Sequence, residues 1–168
     1  MSNDCHLPIL GTRSALWRDE AACAATAQAL AGRPALRLAT VELRGPLGAG
    51  KTTFVRHLLH ALGVQGRVKS PTYAVMEPYE LPEGDTAGDT PGDIWHFDFF
   101  RFDDPQEFED AGFRDVYAGP GLKIAEWPEK AAGLLPLPDL CIAMELDDDD
   151  SRTATFIAHS ARGLELLP

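Results

Sequence analysis

The octapeptide GPLGAGKT at residues 45–52 fits the pattern G-x-x-x-x-G-K-[ST] at every fixed position. The segment 36–43 before it is rich in aliphatic and β-branched residues that roughly alternate with others, which predicts a strand. The segment 52–62 after it carries apolar residues at helical spacing and is followed by Gly63, which predicts a helix. A strand, a glycine-rich loop and a helix in this order form the context in which such a loop binds phosphate groups.

Each part of this phosphate loop has a physical role. Gly48 and Gly50 let the backbone curl so that successive N–H groups point at phosphate oxygens, and the helix adds its positive end. Lys51 is expected to contact the β- and γ-phosphates, and the Thr52 hydroxyl is expected to ligate Mg²⁺. The predicted nucleotide-binding residues of the loop are Gly45, Leu47, Gly48, Ala49, Gly50, Lys51, Thr52 and Thr53.

The rest of the chain predicts both helices and strands. Helices are predicted from Asp19 to Gly32 and from Pro105 behind Asp104, and strands at 73–79, 94–99, 122–126, 140–146 and 153–158. The last two strands are expected to form a hairpin around the acidic turn 147–150. This mixture predicts an α/β fold of the P-loop NTPase-like kind, a mixed β-sheet flanked by helices. A length of 168 residues predicts a single domain, 1–168, with a core at about 19–160 and a flexible insertion at 81–93.

Charge and cysteine usage limit the cellular context. The formal net charge of −11 disfavours stand-alone binding of nucleic acid, because such binding depends on cations that neutralise phosphates. The three cysteines contain no Cys-x-x-Cys pair, which argues against a disulfide framework and a zinc site. No signal peptide and no apolar run of about 18 residues is visible, so the sequence predicts a cytoplasmic protein without a membrane span.

Two acidic residues follow apolar strands and are candidates for nucleotide chemistry. Asp98 ends the strand that begins at Ile94, and Glu126 ends the strand 122–126. Carboxylates at such strand ends point into the nucleotide crevice, where one can hold Mg²⁺ and another can orient water. These residues alone do not assign the two roles. His96 is expected to share a sheet face with Asp98 and to make a structural hydrogen bond there.

Two hydroxyl residues beyond the predicted helix are candidate sensors of the terminal phosphate. Ser70 and Thr72 lie in the segment KSPTY at 69–73, and a hydroxyl from this part of a P-loop switch can contact the γ-phosphate and its metal. The alternative interpretation of this segment is an ordinary Ser-Pro turn. Both interpretations remain open on the residues alone.

The phosphate loop by itself does not identify the reaction. A guanine-specific GTPase is disfavoured because the only asparagine is Asn3, so no Asn-Lys-x-Asp element exists, and the DTAG segment at 85–88 lacks the apolar strand that would precede a switch. A small-molecule kinase remains an alternative, although the segment 81–93 contains no arginine for a phosphate lid. A nucleotide-independent interaction module is disfavoured because every phosphate-binding position is intact.

Five blocks of sequence, in order and spacing, resemble one known family. The blocks are GPLGAGKTT at 45–53, VKSPTY at 68–73, EPY at 77–79, HFDFFRF at 96–102 and EWPE at 126–129. They are similar to the bacterial TsaE family, the ATPase component of the machinery that installs threonylcarbamoyl on adenosine next to the anticodon of tRNAs. The resemblance covers about residues 19–138 and is far more specific than the phosphate loop alone.

The resemblance implies a P-loop ATPase that uses ATP and Mg²⁺ and acts with the proteins TsaD and TsaB, so that tRNA is contacted only indirectly. It also implies that hydrolysis of ATP switches or resets the TsaD–TsaB complex. Three departures from the family pattern are the long segment 81–93, Phe100 where tyrosine is common, and WRDE at 17–20 where Pro-Asp-Glu is frequent.

The resemblance also implies roles for individual side chains. The metal ligands would be Thr52 and Glu126, and Asp98 would serve hydrolysis. Glu20 would border the adenine. The predicted catalytic residues are Asp98, Lys51 and Thr72, and the predicted switch or partner-coupled residues are Ser70, Thr72 and Trp127.

Overall fold

The computed structural model describes residues 7–81 and 93–168. The predicted insertion at 81–93 therefore lies almost wholly outside the described residues. In chain order the elements are β1 (Gly11–Trp17), α1 (Glu20–Ala31), β2 (Thr40–Arg44), α2 (Lys51–Ala61), β3 (Met76–Glu80), β4 (Asp93–Asp98), α3 (Pro105–Asp110), α4 (Phe113–Ala118), β5 (Leu122–Glu126), β6 (Leu140–Leu146), β7 (Arg152–Ala158) and α5 (Ala161–Leu164). Short 3₁₀ helices cover Pro34–Leu38 and Pro128–Ala131.

The strands form one seven-stranded sheet in the order β1-β7-β6-β2-β5-β4-β3. The four central strands run parallel, because β2 pairs in parallel with both β5 and β6, and β4 pairs in parallel with β5. The outer strands β1, β7 and β3 pair antiparallel with their neighbours. The predicted α/β fold with a mixed sheet flanked by helices is confirmed.

Two apolar clusters cover the two faces of this sheet. The larger one packs α1 and α2 against the central strands and includes Leu43, Phe54 and Leu58, all fully buried. The smaller one, on the other face, is mostly aromatic and packs α3 and α4 against β4 and β5 through Phe97 and Phe99. The phosphate loop connects β2 to α2, so the larger cluster fixes the position of the loop at the carboxyl ends of the parallel strands. No helix among the described residues is long and apolar enough to cross a membrane.

The helix signals of the sequence correspond to observed caps. The Asp19 carboxylate accepts a 2.8 Å hydrogen bond from the Ala22 N–H and so caps α1. The Asp104 carboxylate caps α3 in the same way, with Pro105 in the first turn. Each side chain satisfies a backbone N–H that the helix itself leaves without a partner.

Two predicted strands begin later than the sequence pattern indicates. The prediction of strand from residue 36 is wrong, because Pro34–Leu38 forms a 3₁₀ helix and β2 begins at Thr40. Proline fixes its own φ near the helical value, which favours this short turn. The strand predicted from Tyr73 begins at Met76, because Val75 adopts a positive φ of 67° and its N–H bonds to the Pro71 carbonyl. In both segments, apolar residues that suggested a strand lie in a turn or a 3₁₀ helix.

Asp139 joins three separate segments at the amino-terminal end of the parallel strands. Its carboxylate accepts hydrogen bonds from the Thr40 N–H at 2.9 Å and from the Ser160 hydroxyl at 2.6 Å. The Arg162 guanidinium lies 3.4 Å from the same carboxylate. This network lies at the opposite end of β2 from the phosphate loop.

We expect Asp139→Ala to lower the free energy of unfolding by about 1–3 kcal/mol, because the Thr40 N–H and the Ser160 hydroxyl lose their acceptor. Urea unfolding followed by circular dichroism measures this change. Asp148→Ala, an exposed aspartate in the turn between β6 and β7, is the matched control and should leave stability nearly unchanged. Equal stability of the two variants would contradict this role of Asp139.

Candidate active site

The phosphate loop contains three glycines whose backbone conformations are unfavourable for residues with a side chain. Gly45, Gly48 and Gly50 have positive φ angles of 148°, 83° and 100°. A Cβ on Gly45 would lie 2.4 Å from the carbonyl oxygen of Met144, so this glycine lets β2 leave the sheet beside β6. Gly50 is the N-cap residue of α2, and the free N–H groups of the first helical turn therefore face the loop.

The ammonium of Lys51 lies inside the loop. Its Nζ donates hydrogen bonds to the carbonyl oxygens of Gly45 at 2.6 Å and Pro46 at 2.8 Å, and the residue is 5% exposed. The same atom lies 4.1 Å from the ring centroid of Trp127, within the range of a cation–π contact. Burial lowers the pKa of Lys51, while the nearby carboxylates Glu126 and Asp98 act in the opposite direction. The positive charge is thus held next to the phosphate-binding backbone.

Asp98 and Glu126 end adjacent parallel strands and are direct cross-strand neighbours. They are 3% and 1% exposed, respectively. The Thr52 hydroxyl donates a 3.1 Å hydrogen bond to Glu126 Oε2, and the Thr72 hydroxyl donates a 3.1 Å hydrogen bond to Asp98 Oδ2. The Ser70 hydroxyl donates to Asp98 Oδ2 and lies 3.4 Å from Glu126 Oε2. One network of hydroxyls therefore joins the two carboxylates.

The second oxygen of Asp98 is held by the main chain. The Phe100 N–H donates a 2.9 Å hydrogen bond to Asp98 Oδ1. The Phe99 N–H donates a 3.1 Å hydrogen bond to the main-chain carbonyl of Glu126, which ties the two strand ends together. The orientation of the Asp98 carboxylate is therefore fixed from two sides.

An open cavity of about 480 Å³ lies over this network. Its lining includes most of the predicted site, in the order Leu47, Gly48, Gly50, Lys51, Thr52, Thr53, Ser70, Thr72, Asp98, Glu126 and Trp127. Hydroxyl and carboxylate oxygens are the ligands that Mg²⁺ prefers, usually one or two carboxylates together with substrate phosphates. Among the described residues no group of three or more His, Cys, Asp or Glu side chains forms a protein-only metal site. Thr52 and Glu126 therefore fit a Mg²⁺ that is shared with a bound phosphate.

Two arginines in the cavity wall were not among the predicted site residues. Arg152, at the start of β7, lies with its Nη2 3.4 Å from the Gly48 carbonyl oxygen. Arg101 lies with its guanidinium carbon 4.6 Å from the ring centroid of Tyr73, a residue that is 86% exposed. Arg101 lies three residues after Asp98 in the block HFDFFRF, so the sequence offered a reason to include it in the predicted site. Arg152 is brought to the loop by the pairing of β7 with β6, and no local sequence pattern predicts that it lies there.

Three predicted nucleotide-binding residues lie outside the cavity lining. Gly45 and Ala49 shape the loop from behind, and Ala49 is fully buried. Glu20 is at the start of α1, where its carboxylate lies 2.9 Å from His57 Nε2. A role of Glu20 beside the adenine stays a prediction.

The backbone of Trp127 has a conformation that is rare for a large side chain. Its φ and ψ of 55° and 47° are left-handed, and a strained residue of this kind costs on the order of 1–3 kcal/mol unless its surroundings enforce it. Here the chain turns at Pro128, and the indole packs against Phe100 with ring centroids 5.0 Å apart. With this backbone conformation the indole lies at the cavity, over the Lys51 ammonium.

The chain is similar to known proteins in both sequence and fold. A family model described as "Threonylcarbamoyl adenosine biosynthesis protein TsaE" matches residues 17–154. Two proteins called tRNA threonylcarbamoyladenosine biosynthesis protein TsaE are similar. The protein from Haemophilus influenzae is 40% identical over 127 residues, which cover 76% of this chain and 75% of the relative. The protein from Bacillus subtilis is 34% identical over 121 residues, which cover 70% of this chain and 68% of the relative. The crystal structure of YdiB from Bacillus subtilis covers 93% of this chain and 91% of its own, with a TM-score of 0.72 and 25% identity.

Proposed function

Because the chain belongs to the TsaE family of tRNA threonylcarbamoyladenosine biosynthesis proteins, we propose that it is the Mg²⁺-dependent ATPase of this tRNA modification. The single observation that carries the proposal is the cavity in which the phosphate loop meets two carboxylates joined by hydroxyl groups. We propose further that one domain, 1–168, holds this activity. Family membership favours this role over the small-molecule kinase that the residues alone left open.

The proposed roles follow from the contacts of each side chain. Lys51 and the loop N–H groups bind the β- and γ-phosphates, and Thr52 and Glu126 hold Mg²⁺. When bound, the metal neutralises charge on the phosphates. Asp98 orients the attacking water and takes its proton as the water oxygen bonds to the γ-phosphorus. The bond between the γ-phosphorus and the bridging oxygen breaks, which yields ADP and inorganic phosphate. The Phe100 N–H keeps the Asp98 carboxylate oriented during this step.

Ser70 and Thr72 are proposed to sense the state of the nucleotide. Their hydroxyl oxygens lie 3.1 Å apart, and each hydroxyl is placed to donate its one proton to Asp98. The oxygens of a γ-phosphate would compete with Asp98 as hydrogen-bond acceptors, and a metal ion would compete for the hydroxyl oxygens as ligands, so the arrival of both reorganises these hydroxyls. Tyr73 follows directly and is exposed beside Arg101. A rearrangement at the site therefore reaches the protein surface within one residue.

The proposed consequence is a switch that is read by partner proteins. TsaD and TsaB are the partners that family membership suggests, with the tRNA held by them rather than by a chain of net charge −11. If the partners prefer the ATP-bound form, they must tighten ATP binding by the same factor. Hydrolysis then resets the complex after a round of modification.

We expect the affinity for TsaD and TsaB to differ at least about fivefold between ADP and a non-hydrolysable ATP analogue, and ATP hydrolysis to rise when both partners are present. Titration of the partner pair followed by calorimetry measures the first effect. Thr72→Ala should reduce the difference, whereas Thr155→Ala on β7, far from the cavity, should not. Equal partner affinity in both states, together with full multi-turnover tRNA modification without this chain, would contradict the proposal.

A further inference from the structure

His96 is a histidine that lies completely buried in the sheet. It lies at the middle of β4, opposite Ile124 of β5 and Glu77 of β3, and is 0% exposed. Within the part of the chain that the structure describes, neither Nδ1 nor Nε2 has a partner. The structural hydrogen bond predicted for this histidine is therefore not formed with any residue that the structure describes. Burial of a polar ring without hydrogen bonds costs free energy of folding, so a histidine at this core position calls for an explanation.

The two carboxylate oxygens of Glu126 have different surroundings. Oε2 faces the cavity, where it accepts a 3.1 Å hydrogen bond from Thr52 and lies 3.4 Å from Ser70 Oγ. Oε1 is turned into the protein and has no hydrogen-bond partner among the described residues. The nearest histidine nitrogen, His96 Nε2, lies 3.7 Å from it.

The unpaired atoms of these two residues are complementary. An imidazole nitrogen that carries a proton donates a hydrogen bond, and a carboxylate oxygen accepts one. A separation of 3.7 Å exceeds the usual N–H···O distance, and a shift of about 0.7 Å would bring it into the normal range. Both side chains project from adjacent strands onto the face of the sheet that carries α2, so they are already next to each other.

We propose that His96 is the positioning residue for Glu126: its Nε2–H donates to Oε1 and leaves Oε2 directed at the metal. The inference rests on the proposed function, in which Glu126 is a ligand of Mg²⁺. A carboxylate that is anchored through one oxygen presents the other in a fixed direction, and loss of such an anchor typically weakens metal binding about 10- to 100-fold. His96 is not among the residues that line the cavity, and it acts only as an N–H donor to Glu126.

The first test separates nucleotide binding from its dependence on Mg²⁺. ADP affinity is measured by calorimetry with Mg²⁺ and with EDTA for the wild type, His96→Phe and His96→Gln. We expect His96→Phe to reduce the gain in affinity from Mg²⁺ about tenfold and to leave the affinity in EDTA unchanged. His96→Gln, whose amide nitrogen can occupy the place of Nε2, should restore most of this gain. Ile94→Val, two residues earlier on the same strand and buried, controls for disturbance of the core.

The second test needs no variant that must fold. In ¹⁵N NMR spectra of the wild type, the His96 Nε2–H should be present and become protected from exchange with water when Mg²⁺ and ADP are added together, but not with ADP in EDTA. A proton on Nδ1 instead of Nε2 in the Mg²⁺-ADP state would overturn the inference. The inference is also overturned if His96→Phe retains the full gain in affinity from Mg²⁺.

Failure of the proposed function is recognised separately. Glu126→Gln should reduce the gain in ADP affinity from Mg²⁺ whatever His96 does. If Glu126→Gln reduces this gain and His96→Phe does not, the positioning role fails and the metal site stands. If neither variant changes it, the assignment of Glu126 as a metal ligand fails, and the positioning role fails with it.

Discussion

Replacement of Asp98 by asparagine is expected to lower kcat for ATP hydrolysis by about 100-fold or more, because a group that orients and deprotonates the attacking water contributes about 10²- to 10⁴-fold. Asparagine is nearly isosteric and keeps an oxygen that can accept from the Phe100 N–H, so the local structure should persist. Nucleotide affinity should change by less than about threefold, since the contribution lies in the transition state. Single-turnover hydrolysis and calorimetry measure the two quantities.

Glu126→Gln is the matched comparison, because it changes the neighbouring carboxylate in the same way. This variant should shift the Mg²⁺ concentration that supports nucleotide binding rather than the rate at saturating metal. If Asp98→Asn altered the Mg²⁺ dependence and Glu126→Gln altered only kcat, the two roles would have to be exchanged. The Ser70 hydroxyl lies near both carboxylates, so the two substitutions test one network from its two ends.

The second large effect is expected at Lys51. Lys51→Ala should weaken ATP binding about 10- to 150-fold, because a charge-assisted contact to phosphate contributes roughly 1.5–3 kcal/mol. The substitution also removes the donor to the Gly45 and Pro46 carbonyls and the cation over Trp127, so the empty loop loses support as well. Calorimetry with ATP measures the affinity.

The chain offers a second buried lysine as a control for Lys51. Lys123 is 3% exposed and donates to the Gly119 carbonyl near the start of β5, away from the cavity. Lys123→Met should affect stability and leave ATP affinity within about twofold of the wild type. An unchanged ATP affinity in Lys51→Ala would contradict the assignment of Lys51 to the phosphates.

Local sequence signals were sufficient for most of the central fold. Short patterns predict the phosphate loop, the helix caps Asp19 and Asp104, and the acidic strand ends Asp98 and Glu126. The structure has each of them in the expected element. The carboxyl ends of parallel strands meet at one edge of the sheet, so the proximity of the two carboxylates was predictable once the strands were assigned. What each residue does in the reaction stays a prediction.

Long-range pairing explains what the sequence did not reveal. The strand β1 was not predicted, since it exposes Thr12, Ser14 and Leu16 and obtains its place by pairing with β7. The pairing of β7 with β6, which lies beside β2, brings Arg152 to the phosphate loop. The left-handed Trp127 was also unpredictable, because large side chains rarely adopt this conformation and the surrounding structure enforces it. Contacts between distant segments leave little trace in local patterns.

The direct pairing of Asp98 with Glu126 across β4 and β5 links nucleotide binding to the correctness of folding. A shift of one residue in this pairing would turn Asp98 away from α2 and toward the aromatic cluster, so a misaligned sheet has no complete site. If the chain binds nucleotide as proposed, the ligand stabilises only the correctly aligned chain, by about 2.7 kcal/mol when its concentration is about 100 times the dissociation constant. The proposed ligand then favours the aligned sheet over every misaligned one.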